Sequence, residues 1–236
     1  MKIIIKQNTT QSIIEADLNL ATDFVIEILV EENAVCDYVS ASCVVPNLVR
    51  KFILEKNAIL NFSETNFFSS GINNSDTEIV LRGRGAKCEF KSALLAGGNW
   101  SGKITQNIFH EAPETISSIL ARAAFFGTAR GEFDSSVQIS KSATQSSGRE
   151  DIKILLCSPN ASVKTIPNLA IYNQDVVCSH AASIRRLQPR DYYLFSLRGL
   201  PAQMAQTEMV LAHLFSSFDL SEIEREEWTN KLLEVY

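Results

Sequence analysis

The feature that most limits how this chain can fold is a short motif that returns after 24 residues. Residues 29–38 read LVEENAVCDY and residues 53–62 read ILEKNAILNF, so the Asn33-Ala34 and Asn57-Ala58 pairs stand 24 positions apart. An aliphatic residue, three more residues and then Asn-Ala appears again from Leu156 to Ala161, and a variant runs from Ala86 to Phe90. A period of 20 to 30 residues points to a solenoid, in which no coil buries its apolar face alone and each stacks on the next. Asparagine tolerates a positive φ at a corner, and alanine fits the crowded position beside it. A leucine-rich repeat is excluded because its leucine lattice is absent. Helical repeats are disfavoured by β-branched, alternating runs such as Val25-Ile26-Glu27-Ile28-Leu29-Val30. The repeat alone leaves two folds open, a parallel β-helix and an antiparallel sandwich whose hairpins share turn residues.

Composition narrows the function classes. The chain has 236 residues, of which 45% are hydrophobic, enough for a sizeable core in one domain or two. Lys and Arg number 22 against 27 Asp and Glu, a net charge of −5 that argues against a general nucleic-acid surface. The five cysteines, 36, 43, 88, 157 and 178, are odd in number and contain no CxxC pair. Neither a disulfide framework nor a self-contained zinc site fits that spacing. One lysine and three apolar residues at the N-terminus are too short for a signal sequence, and no run reaches membrane-spanning length. The expected setting is a reducing cytoplasm.

Along the chain, residues 77–90 read as a strand, a glycine corner at Gly83 and Gly85, and a second strand. GRGAK lacks the spacing of a phosphate-binding loop, so no nucleotide site is expected in this chain. His110 precedes Pro113 and is assigned a structural role, and residues 143–150 read as a polar loop. Turns are expected at Pro159-Asn160-Ala161 and at Ile166-Pro167. The segment Val176-Val177-Cys178-Ser179-His180 reads as a strand, in which Cys178 and His180 share one face about 7 Å apart at Cα. A thiolate and an imidazole there make half a site for a soft or borderline metal. Taken alone, the pair fits a structural role better, since cysteine is commonly buried and one histidine satisfies itself by hydrogen bonds. Cys36, Cys43, Cys88 and Cys157 are expected to pack.

After Ser183 the pattern turns helical. Pro189 suits a first turn and Gly199 a C-cap, Pro201 opens a second helix, and Ser221-x-x-Glu224 is a capping box for a third. Met204, Leu211, Leu214, Phe215 and Phe218 form an apolar stripe on the second helix, and His213 reads as a surface residue.

Several segments taken together resemble the shared core of the SufB/SufD proteins of the SUF iron–sulfur cluster assembly system. They are His110-Glu111-Ala112-Pro113-Glu114-Thr115, Leu155-Leu156 with Ser158-Pro159-Asn160-Ala161, Lys164 to Ile171, Asp175 to Ser183, and Arg198-Gly199-Leu200 with Ala205. The resemblance covers roughly residues 25–235 and implies a right-handed parallel β-helix over 1–186. Residues 187–236 then form a C-terminal helical segment that docks the ABC-type ATPase SufC. Ala161 stands where SufB carries its scaffold cysteine, and Ser179 and Ala181 replace the glutamates that flank the SufB histidine. The Cys-Ser-His run is SufD-like, although Ala181, Ser146 and Glu150 replace the usual Gly, Thr and Gln.

The resemblance implies a non-catalytic scaffold or accessory subunit that pairs with a SufB-like paralogue or with a second copy of itself. Cys178 and His180 inherit the role of candidate ligands for iron or a transient iron–sulfur cluster at the subunit interface. Arg198, Gly199, Leu200, Ala205, Leu211 and Phe215 become candidate contacts for the SufC-like ATPase. A β-helical carbohydrate-active enzyme is the reading from another class. Asp37, Glu89 and Asp175 would have to supply the paired carboxylates that such chemistry needs.

Overall fold

The structure, a computed structural model, describes residues 1–18, 24–41, 46–218 and 221–235. Its strands run in chain order as β1 (Lys2–Ile5), β2 (Thr10–Ile14), β3 (Phe24–Val30), β4 (Val35–Ala41), β5 (Asn47–Leu54), β6 (Ile59–Phe68) and β7 (Ile72–Leu81). They continue as β8 (Lys87–Ala96), β9 (Ser101–His110), β10 (Ile116–Phe125), β11 (Arg130–Ile139), β12 (Ser146–Leu156), β13 (Ser162–Ile171) and β14 (Val176–Arg186). Odd-numbered strands form one seven-stranded sheet and even-numbered strands another, each in consecutive order. Every ladder between them is parallel. Antiparallel hairpins are therefore excluded, and the chain is a parallel β-helix followed by C-terminal helices.

Local chemistry explains why the coils close. Asn8, Asn33 and Asn57 sit at one corner with φ of 57°, 57° and 55°, and Gly85 takes the equivalent place with φ 73°. These are left-handed positions that Asn and Gly occupy at least cost. The Asn57 amide donates to Asn33 Oδ1 at 3.0 Å and the Asn33 amide to Asn8 Oδ1 at 3.1 Å, so the corner residues also form a ladder. Ala34, Ala58 and Ala86 follow and are fully buried. A side chain on Gly83 would lie 2.0 Å from the Lys56 backbone nitrogen, which makes the Gly83/Gly85 pair a packing corner.

In-register stacking then turns each inward position into a column. Tyr38, Phe62, Phe90 and Ile119 stand in one such column. The Phe62 and Phe90 rings stack at 4.3 Å between centroids, and Tyr38 meets Phe62 edge-on at 5.0 Å. Some inward positions are charged. Arg50 is buried and donates to Glu15 Oε2 at 2.6 Å, to Glu64 Oε1 at 3.1 Å and to the Ser40 and Ser75 hydroxyls at 2.9 Å. Such a group is tolerated inside only because its donors are used.

Two local readings of the sequence are corrected. The polar run 143–150 is not all loop: β12 begins at Ser146, because its pairing with β10 continues back through Ser147. Ile166-Pro167 is not a turn but lies within β13. Proline is allowed there because β13 is the outermost strand of its sheet, and its missing N–H costs no ladder bond. His110 is structural as expected, but hydroxyls and not the backbone hold it. Nδ1 lies 2.7 Å from Thr115 Oγ1 and Nε2 lies 2.8 Å from Ser117 Oγ.

Two predictions follow from the corner and from this histidine. Asn57→Ala is expected to destabilise the fold by about 1–2 kcal/mol in a denaturant titration, with Asn57→Gly costing less, because only the former forces a Cβ into the left-handed region. Burial lowers the His110 pKa from 6.5 to about 4. The unfolded chain therefore takes up a proton that the folded chain refuses. Stability falls as pH drops from about 6.5 towards about 4, by about 3 kcal/mol in total. Comparing urea midpoints of the wild type and His110→Gln across that range checks it: the variant should lack this component of the slope.

Candidate functional site

β14 is the last strand of the second sheet and, among the described residues, pairs with β12 alone. Val177, at its start, is 75% exposed, and the strand is open along its free edge. Inward positions are fixed by the register, with Gly148 beside Cys178 and Glu150 beside His180. Gly148 and Glu150 are buried, so Cys178 and His180 project from the same, inward side of the last coil. Cys178 is half-buried and packs on the core cluster, while His180 is exposed at the open end.

The surroundings of the pair are uneven. Partial burial raises the Cys178 thiol above its ordinary value, against a smaller opposing effect of the Gly148 backbone. Gly148 is closely packed on its inward side: a Cβ there would come within 2.9 Å of Val137 Cγ1 and 3.7 Å of His110 Nε2. Glu150 is 1% exposed, and among the described residues neither of its carboxylate oxygens has a hydrogen-bond partner. Burial raises its pKa, while the Ser135 hydroxyl and the charge of His180 act in the opposite direction without closing into hydrogen-bond geometry. Reading 143–150 as a loop hid this residue. Ser146, Gly148 and Glu150 at spacing two show no apolar alternation, so only the pairing with β10 and β14 reveals it.

A thiol and an imidazole suit iron, and both bind it when deprotonated. Among the described residues, however, no three Cys, His, Asp or Glu side chains gather closely enough to hold a metal ion. The last coil therefore offers part of a donor set. Cys36 and Cys88 are buried in the core, with thiols pushed well above their usual value by burial. Cys157 is half-buried and its thiol is pushed up to about 12. Cys43 lies outside the described residues. Asp37 accepts a hydrogen bond from Asn61, Glu89 pairs with Lys91, and Asp175 lies in the turn before β14.

The C-terminal helices cover the outer face of the second sheet. After a 3-10 turn at Pro189–Tyr192 come α1 (Tyr193–Ser196), α2 (Ala202–Leu214) and α3 (Glu222–Val235). Gly199 takes φ 78° after α1, and Ser221 and Glu224 bond reciprocally at the start of α3. Leu211, Leu214, Phe215, Trp228 and Leu232 pack on Ala93, Leu95, Ala124 and Leu155. The docking is pinned by Arg122, which pairs with Asp151 at 3.1 Å and donates to Ser216 Oγ at 3.1 Å.

His213 is not a surface residue: Nε2 lies 3.1 Å from the carbonyl oxygens of both Ala123 and Lys153. Among the expected ATPase contacts, Ala205, Leu211 and Phe215 are buried against this chain's own strands and helices. Arg198 and Gly199 are exposed, and Leu200 is half-buried. The exposed apolar side chains nearby are Tyr193, Leu194, Leu197 and Met204, which the stripe on α2 did not single out, apart from Met204.

Comparison with known proteins agrees with this architecture. The family described as the SUF system FeS cluster assembly, SufBD core domain, matches residues 1–213, so the likeness extends through the N-terminal coils. The iron–sulfur cluster assembly protein SufB of Bacillus subtilis is 22% identical over 198 residues, 82% of this chain and 42% of that protein. SufD of the same organism is 25% identical over 140 residues, 59% of this chain and 32% of that protein. A SufBD family protein of Galdieria sulphuraria is 22% identical over 126 residues, 53% of this chain and 57% of that protein. The chain thus spans less than half the length of the two Bacillus subtilis relatives. With nine-tenths of its length inside the matched core, and with the parallel β-helix that carries it, this chain belongs to the SufBD core domain family of the SUF iron–sulfur cluster assembly system.

Proposed function

We propose that this chain is a non-catalytic, SufD-like subunit of iron–sulfur cluster assembly, and that its last coil supplies part of a cluster or iron site completed by a second chain. The observation that carries this reading is the placement of Cys178 and His180 on the inward side of β14, at an open strand edge. Two donors cannot enclose an ion, so a second protein must bring the rest. An unpaired edge strand is the surface on which another chain can continue a sheet. A SufB-like paralogue or a second copy of this chain would meet that need, with iron or the cluster as cargo.

The helical corner after β14 is the surface proposed for a SufC-like ATPase. Leu194 and Leu197 are 69% and 65% exposed there, beside the exposed turn at Arg198 and Gly199. Ala205, Leu211 and Phe215 would then act indirectly, by fixing that corner against the solenoid.

Two experiments test the reading. Anaerobic reconstitution with ferrous iron and sulfide, with the chain alone and with a SufB-like partner, should give cluster absorbance that Cys178→Ala and His180→Ala each reduce. Unchanged absorbance in both variants would remove the site. Leu194→Glu/Leu197→Glu should abolish co-purification with a SufC-like ATPase while leaving the melting temperature unchanged, because neither side chain is buried. Retained binding would place the ATPase elsewhere.

A further inference from the structure

Glu150 is a buried carboxylate with two unpartnered oxygens, placed in the interior beside His180. Desolvating a carboxylate without partners is costly, and such a group in a native fold needs an explanation. Its neighbour Ser135 brings a single hydroxyl that also lacks a partner, so it cannot serve both oxygens. The column it occupies is otherwise apolar or aromatic from Tyr38 to Ile119, and an aliphatic side chain would continue it. Space filling therefore does not account for a carboxylate here.

We propose that Glu150 is the positioning residue for His180: on metal binding its unpartnered carboxylate takes up the inward ring N–H, which leaves the other ring nitrogen free to bind metal beside Cys178. The inference rests on the reading of Cys178 and His180 as metal donors. Adjacent strands in register stand about 4.8 Å apart, so the two side chains rise from one rung spacing on the same side. Glu150 is not itself assigned as a ligand, since no three such side chains are gathered for a metal among the described residues. Metal-bound imidazoles commonly donate their second N–H to a carboxylate, which fixes the tautomer and the ring plane. Without that restraint, the ring of an exposed histidine at an open edge would present its nitrogen to the metal only part of the time.

The test uses the whole chain and cobalt(II) alone, titrated anaerobically and read by the thiolate-to-cobalt absorption band. Glu150→Leu should keep the band but weaken binding by about 10–100-fold. It should not lower the melting temperature, because it removes a buried orphan charge. Glu150→Gln, which retains an acceptor oxygen, should fall between Glu150→Leu and the wild type. Wild-type affinity in Glu150→Leu, with the band lost in Cys178→Ala, would overturn the role of Glu150 alone. An equal loss in the Gln and Leu variants would trace the effect to charge and overturn the hydrogen-bond assignment. A band indifferent to both Cys178→Ala and His180→Ala would overturn the underlying site, and this proposal with it.

Discussion

The structure depends on its corners. A coil can stack on the next only if the chain reverses in the same few residues each time, and that reversal requires a left-handed residue followed by a small one. Asn33-Ala34, Asn57-Ala58 and Gly85-Ala86 meet both demands. The asparagine amides also bond from one coil to the next, so the corner holds register as well as direction. Side chains alternate with period two, and a slip of one residue at a corner would carry a whole inward column to the solvent side. The columns, the buried Arg50 network and the placement of the last coil all inherit their geometry from this constraint.

Stacking also decides where chemistry is available. In the middle of the solenoid each strand has neighbours on both sides, and an inward charge can be matched within the core, as Arg50 is by Glu15 and Glu64. The last coil has a neighbour on one side only. Inward groups on β14 are thus ordered by the coil beneath and open to whatever arrives from the other side. The C-terminal helices do not close that end: they pack on the outer face of the second sheet and are tied there by Arg122 and His213.

The repeat narrowed the fold to two, because it is a steric requirement that the residues themselves must meet, and the resemblance to SufB/SufD chose the parallel β-helix between them. Cys178 and His180 were legible for a related reason: once β14 is a strand, spacing two fixes their common side. Glu150 was not. Its polar neighbours Ser146, Ser147 and Gly148 look like loop residues, and only pairing with β10 and β14 shows that they are strand. The same limit affected Ile166-Pro167, where an edge strand accepts a proline that an interior strand would refuse. Of the α2 stripe, Leu211, Leu214 and Phe215 cover this chain's own sheet while Met204 faces outward. His213 was misread because nothing in its neighbours announces two backbone carbonyls from other strands.

On the proposed reading, the thiol of Cys178 links seam closure to loading. Partial burial keeps it protonated more firmly than a free cysteine, so it is a poor nucleophile and a poor ligand in the isolated chain. A cation arriving beside it reverses that balance, because a metal deprotonates a coordinating thiol outright. The donor set is incomplete until a second chain lies against β14, and binding energy is largest when all donors engage together. Metal would therefore favour the assembled form over the separate chains, and assembly would favour metal by the same factor, since coupling between two binding events is reciprocal. An ATPase that shifts the helices on the outer face would act on this coupled equilibrium through Arg122 and His213, which join α2 and the residues just after it to β10 and β12, the strand that carries Glu150.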